Sequence, residues 1–119
     1  MDSFLDTQIG GEHYKSLQMQ PIVLITKTNC DYIQGRIIEL LAKSKTANSK
    51  ECLQKCIHYS RLAIELLPDE KNYLNIGFGY SYAKANSLNG PEMNVVIAVL
   101  QRDFLAVIRN CNILIKNLD

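Results

Sequence analysis

Residues 1–20 show no sustained hydrophobic period, whereas from Pro21 onward apolar positions recur at the three- and four-residue spacing of helices facing a core. Pro21 suits the first turn of a short helix reaching about Lys27, and Asn29 and Asp31 offer caps for the next helix. From Tyr32 to about Ser44 the apolar set is Ile33, Ile37, Ile38, Leu40 and Leu41, followed by a polar loop over 45–50. Ser49 is placed to cap a helix from Lys50 to about Leu67. Its buried stripe reads Leu53, Cys56, Ile57, Ala63, Ile64 and Leu67, with Ser60 as the polar interruption, and Pro68 ends it. The stretch from Asn72 to Tyr82 is ambiguous. Gly77 and Gly79 interrupt Tyr73, Phe78, Tyr80 and Tyr82, so a short strand, a glycine-bent loop and an irregular start to a helix all fit. Asn89-Gly90-Pro91 is a turn. The last helical stretch, Pro91 to about Leu118, breaks near Arg102-Asp103, because Val95, Val96, Val99 and Leu100 form one apolar set and Leu105, Ile108, Leu114 and Ile115 another.

An internal repeat runs through this pattern. Lys27-Thr28-Asn29-Cys30 and the helix carrying Ile37-Ile38 recur about 57 positions later as Lys84-Ala85-Asn86-Ser87 and the helix carrying Val95-Val96. A second helix follows each copy. The pattern predicts an all-α fold, a small helical bundle of two helical hairpins with an extended N-terminal arm. One domain covers 1–119: the arm over 1–20, a helical region over 21–67 and the second hairpin over 72–119.

Composition narrows the function classes. With 119 residues and 47% hydrophobic content, the chain supports one modest core. Thirteen Lys and Arg against 12 acids leave a net charge of +1, too little for a nucleic-acid groove or a basic membrane patch, so any anion site must be local. Cys30, Cys52, Cys56 and Cys111 sit in or beside apolar helical segments, as free thiols of a reducing cytosol do. Cys52 and Cys56 share a helix face from which His58 points away, and zinc would need two more converging ligands. No apolar run reaches signal-peptide or membrane-spanning length, which leads us to expect a soluble, cytoplasmic protein. The aromatic stretch and the apolar second half make a homo-oligomer an expectation.

The candidate chemistry begins with Gly10-Gly11-Glu12-His13-Tyr14. Paired glycines let the backbone turn tightly or approach a ligand, and an imidazole and a phenol follow at once. Gly77-x-Gly79 offers no such cradle, since it lacks both the Gly-Lys-Ser/Thr of a Walker A loop and the third glycine of a dinucleotide fingerprint. In order along the chain stand Gly10-Gly11-x-His13-Tyr14, Gln20-Pro21-Ile22, Gly35-Arg36-Ile37-Ile38 and Leu53-Gln54-Lys55-Cys56-Ile57-His58-Tyr59. From about Ile9 to Leu67 this order resembles a phage family of small nucleotide kinases that lack a Walker A loop. The resemblance implies a nucleoside triphosphate acting with Mg2+ on a deoxynucleoside monophosphate. It places His13, Tyr14 and Gln20, with the adjoining Gly10, Gly11 and Pro21, at a base or ribose. It puts Asp31 near Mg2+ and Arg36, Lys43 and Lys55 at phosphates, with Tyr59 one turn beyond Lys55 on the same face.

This chain departs from the family where phosphate contacts are needed. The family pattern has Asn, Lys, Tyr and Arg along the first helix; here stand Arg36, Glu39, Leu40 and Lys43. An acid cannot replace a lysine against phosphate. Three functions therefore follow: a nucleoside monophosphate kinase, a nucleotide-binding protein without turnover such as a phage counter-defence factor, or an interaction module whose partner is another protein, a host defence protein included. Read without the resemblance, His13 is a turn-stabilising hydrogen bonder, Asp31 a helix cap, and Lys43 and Lys55 solvated helix faces.

Overall fold

The computed structural model describes residues 18–73 and 75–118, so Gly10, Gly11, His13 and Tyr14 lie outside the described residues. Six helices follow in order: α1 (Pro21–Lys27), α2 (Tyr32–Ser44), α3 (Ser49–Leu66), α4 (Ile76–Ala85), α5 (Pro91–Gln101) and α6 (Phe104–Lys116). The fold is an all-α bundle, as the periodicity predicts.

Local chemistry explains the boundaries. Pro21 opens α1 from its first turn, where a missing N–H costs nothing. The helix ends in a left-handed residue, Asn29 at φ 52°, and the Cys30 N–H returns to the Ile25 carbonyl at 3.1 Å, closing the Schellman pattern. α4 ends in the same way, with Ser87 at φ 57° and the Leu88 N–H bonded to the Ala83 carbonyl at 2.8 Å. Asp31 caps α2 in a full capping box: its Oδ1 accepts from the Gln34 N–H at 2.8 Å while its own N–H donates to Gln34 Oε1 at 3.0 Å. The cap of α3 differs from expectation. The left-handed Asn48 precedes the helix without a side-chain cap, and Ser49, already helical, donates back to the Ser44 carbonyl at 2.5 Å.

The segment the pattern leaves open, 72–82, contains the start of α4, and Tyr73 precedes that helix. Gly79 is buried in α4, where an added Cβ would come within 2.7 Å of Leu100 and 2.9 Å of Ile97, so its smallness sets how closely α4 approaches α5. Gly77 faces open space. Between α5 and α6 the expected break falls at Arg102, left-handed at φ 61°, after which the Asp103 carboxylate caps α6 through the Ala106 N–H at 3.2 Å.

In chain order the six helices form two sets of three, α1–α3 and α4–α6, and packing joins the two sets closely. Among the described residues the helix-to-helix contacts between the sets are α1 on α4, α2 on α5 and α3 on α6. Each helix of the first set thus meets the helix at the corresponding place in the second. The turns repeat it. Asn86, at the end of α4, exchanges two hydrogen bonds with the Met19 backbone before α1, at 3.1 and 2.8 Å, and Asn75, before α4, donates to the Thr28 carbonyl at the end of α1 at 3.2 Å. Where α3 meets α6, Cys56 contacts Cys111, both fully buried, and that contact followed by burial pushes the Cys56 thiol well up from its ordinary value.

α5 sits at the centre, with every residue from Val95 to Leu100 buried, and Ile37, Ile38, Leu40 and Leu41 of α2 close the core from the other half. The expected stripes hold except at one position in each: Leu53, Cys56, Ile57, Ala63 and Leu67 in and after α3, and Ile108, Leu114 and Ile115 in α6, lie in or against the core. In α6 the buried residues are Phe104, Val107, Asn110 and Cys111, whereas Leu105 is largely exposed; in α3, Ile64 is also turned outward. Both helices carry apolar side chains on more than one face, so periodicity alone does not single out the inner one. We predict opposite effects at the two α4 glycines: Gly77→Ala stabilises by up to about 1 kcal/mol, and Gly79→Leu destabilises by about 1–3 kcal/mol through overpacking. Urea unfolding curves of both variants measure this.

Candidate functional site

Two places on the molecule gather side chains able to bind a ligand. The first is the outer face of α2 and α3, which collects several residues named by the resemblance. Arg36 and Lys43 stand two turns apart on α2, and Lys55 and Tyr59 one turn apart on α3. The two helices pack side by side, so the Arg36 guanidinium stands close to the Tyr59 phenol, with Lys55 within electrostatic reach of the same phenol. Tyr32 meets Tyr59 edge-on with ring centres 6.3 Å apart, and the neighbouring His58 ring lies 6.2 Å from Tyr59. The cations are partly balanced: Arg36 lies 3.8 Å from Glu39, and Lys55 lies 3.5 Å from Glu51. A shallow depression of about 200 Å³ runs along this side of α2 past Tyr32, Arg36 and Glu39.

The phenols of this cluster are not equivalent. Arg36, and after it the Tyr32 hydroxyl, hold the Tyr59 phenol below the usual tyrosine range. Tyr32 itself is raised, chiefly by the neighbouring Tyr59 phenol.

The second place is a cleft of about 710 Å³ between the halves. Thr28 and Asn29 come from the α1–α2 turn, Gln34 from α2, Glu70 to Tyr73 and Asn75 from the segment before α4, and Leu100 and Arg102 from the end of α5. A closed set of polar contacts forms its wall. Arg102 Nη2 donates to Asp31 Oδ2, Asp31 and Gln34 form the α2 capping box, and Gln34 Nε2 donates to the Val99 carbonyl of α5 at 2.9 Å. Arg102 holds this position in a left-handed conformation that a non-glycine residue adopts at a cost of about 1–3 kcal/mol.

The remaining sequence-derived candidates fall elsewhere or serve the frame. Gln20 is the extended residue before α1, and Pro21 is buried in its first turn. Asp31 does cap a helix. One of its carboxylate oxygens accepts from the Gln34 amide and the other from Arg102, and among the described residues no group of His, Cys, Asp and Glu is placed to hold a metal ion. Tyr73, one of the tyrosines that the sequence offers either for stacking on a base or for a subunit contact, lines the cleft, whereas Arg102, Asn75, Asn29 and Gln34 are cleft residues that sequence reading misses as a site. The helix break at Arg102-Asp103 was the one local signal. Compared with protein-family models, curated proteins and solved structures, the chain matches none. Among the described residues, no helix is long and apolar enough to cross a membrane.

The inequality of the two phenols yields a prediction. As pH rises Tyr59 loses its proton before Tyr32, so Tyr59→Phe removes the early phase from the ultraviolet titration of the chain's six tyrosines, and Arg36→Ala moves that phase toward the ordinary tyrosine value. An unchanged early phase in Tyr59→Phe contradicts the arrangement.

Proposed function

We propose that this chain is a nucleotide-binding protein, of the phage type implied by the resemblance, and that it holds its ligand on the α2–α3 face without transferring a phosphoryl group. The supporting observation is the meeting of Arg36, Lys55 and Tyr59, from two helices, on one accessible face with a second tyrosine beside them. Guanidinium and ammonium groups complement phosphate oxygens, and the tyrosine rings offer apolar faces to a base or sugar. Binding is favoured over turnover because phosphoryl transfer needs several cations aimed at the charge developing in the transition state. Here Glu39 and Glu51 stand beside Arg36 and Lys55. A kinase would therefore need further cations from a second subunit or a partner. The interaction-module reading draws support from a different feature, the half-exposed Phe78 and Tyr80 of α4.

Calorimetric titration with nucleoside monophosphates, triphosphates and cyclic nucleotides in the presence of Mg2+, followed by a phosphoryl-transfer assay on every binder, tests the proposal. Saturable binding without transfer is expected, with affinity lowered about tenfold in Arg36→Glu, the loss of one charge-assisted contact. Phosphoryl transfer by the chain alone restores the kinase reading. Silence across the panel removes both nucleotide readings and leaves the interaction module.

A further inference from the structure

We propose that the cleft between the halves is a second site, separate from the α2–α3 face, which takes an uncharged nucleoside, stacking its base on Tyr73 and reading its edge with the carboxamides of Asn29 and Asn75. The proposal takes from the preceding one only the ligand class, a molecule that carries a nucleobase. The cavity it concerns shares no lining residue with the depression beside Arg36.

Volume comes first. About 710 Å³ lies in the range of sites for small organic ligands, large enough for a base and its sugar. Charge then selects among ligands of that size. The two cations of the cleft are both met by carboxylates, Lys71 Nζ by Asp69 at 2.6 Å and Arg102 by Asp31, and Glu70 adds a negative charge. Such a lining generates no strong field for a phosphate chain. What remains is neutral and polar. A carboxamide presents donors and an acceptor in one plane, matching the mixed donor and acceptor edge of a nucleobase.

Geometry adds a platform and a frame. Tyr73 is 61% exposed at the cleft, and among the described residues its ring stacks on no other aromatic. The Asn29 carboxamide makes no hydrogen bond within the described residues, and its left-handed backbone is held by the Schellman turn. The segment carrying Tyr73 is tied at two points, by the Asn72 N–H to the Gln101 carbonyl at 3.0 Å and by Asn75 to the Thr28 carbonyl. The Asn72 and Asn75 sides of the cleft are therefore held against α5 and the end of α1 before a ligand arrives, which lowers the entropy cost of binding.

The test is calorimetry on the full chain with adenosine, guanosine, cytidine and thymidine, using inorganic tripolyphosphate as the base-free probe. At least one nucleoside is expected to saturate the protein, and tripolyphosphate should not displace it. Tyr73→Ala, a change at an exposed position, should weaken that binding about tenfold, the worth of one base–aromatic stack. Tyr73→Phe, which keeps the ring, should restore it. Absence of saturation by every nucleoside overturns the proposal, as does binding indifferent to Tyr73→Ala. The two site proposals fail separately. Mononucleotide binding with no nucleoside response removes the cleft and leaves the α2–α3 face, whereas nucleoside binding that gains nothing from added phosphates does the reverse.

Discussion

The structure depends on the mutual covering of its two three-helix halves. α5 is apolar around its whole circumference from Val95 to Leu100, and α4 and α6 do not enclose it without α2. In the other half, Ile37, Ile38, Leu40 and Leu41 need the same contact from the opposite side. Burial of a Leu, Ile or Val side chain contributes about 1.5–3 kcal/mol, so this shared core outweighs any single cap, turn or ion pair in the molecule. Each half contributes what the other lacks, in the manner of repeat proteins whose units cannot bury their faces alone.

The same arrangement makes the polar cleft. With α1 packed on α4 and α2 on α5, the turns that end α1 and α5 and the segment that precedes α4 arrive at one junction. Their hydrogen-bonding groups cannot all be satisfied within their own helices. Asn75 therefore reaches Thr28, Gln34 reaches Val99, and Arg102 reaches Asp31. Satisfying these groups across the interface ties the halves in register and leaves an amide-rich concavity. The α2–α3 face arises differently, from two helices of one half lying side by side with an Arg, a Lys and two tyrosines turned outward.

Much of this architecture is legible in the chain. The Pro21 start, the Asp31 cap, the stop before Pro68 and the break at Arg102-Asp103 all follow from local chemistry, and the structure places each where that chemistry dictates. α4 was harder to read. Gly77 and Gly79 sit among aromatic residues that are half solvent and half core, and the packing role of Gly79 against Ile97 and Leu100 exists only once α5 is present. The phases of α3 and α6 were ambiguous because Ile64 and Leu105 are as apolar as the residues that face inward. At the α2–α3 face the helical spacing of Lys55 and Tyr59 was visible, but not their approach to Arg36, which depends on how two helices pack. The cleft was invisible for a stronger reason. Thr28, Asn75 and Arg102 are far apart in sequence, each looks like an ordinary turn residue, and only tertiary contact makes them neighbours.

The most direct test of mutual covering is to divide the chain between Lys71 and Asn72 and follow the helicity and thermal unfolding of each piece by circular dichroism, separately and mixed in equal amounts. Each piece alone should show little helix and no cooperative transition, and mixing should restore both. A cooperative transition in either half by itself would contradict the account.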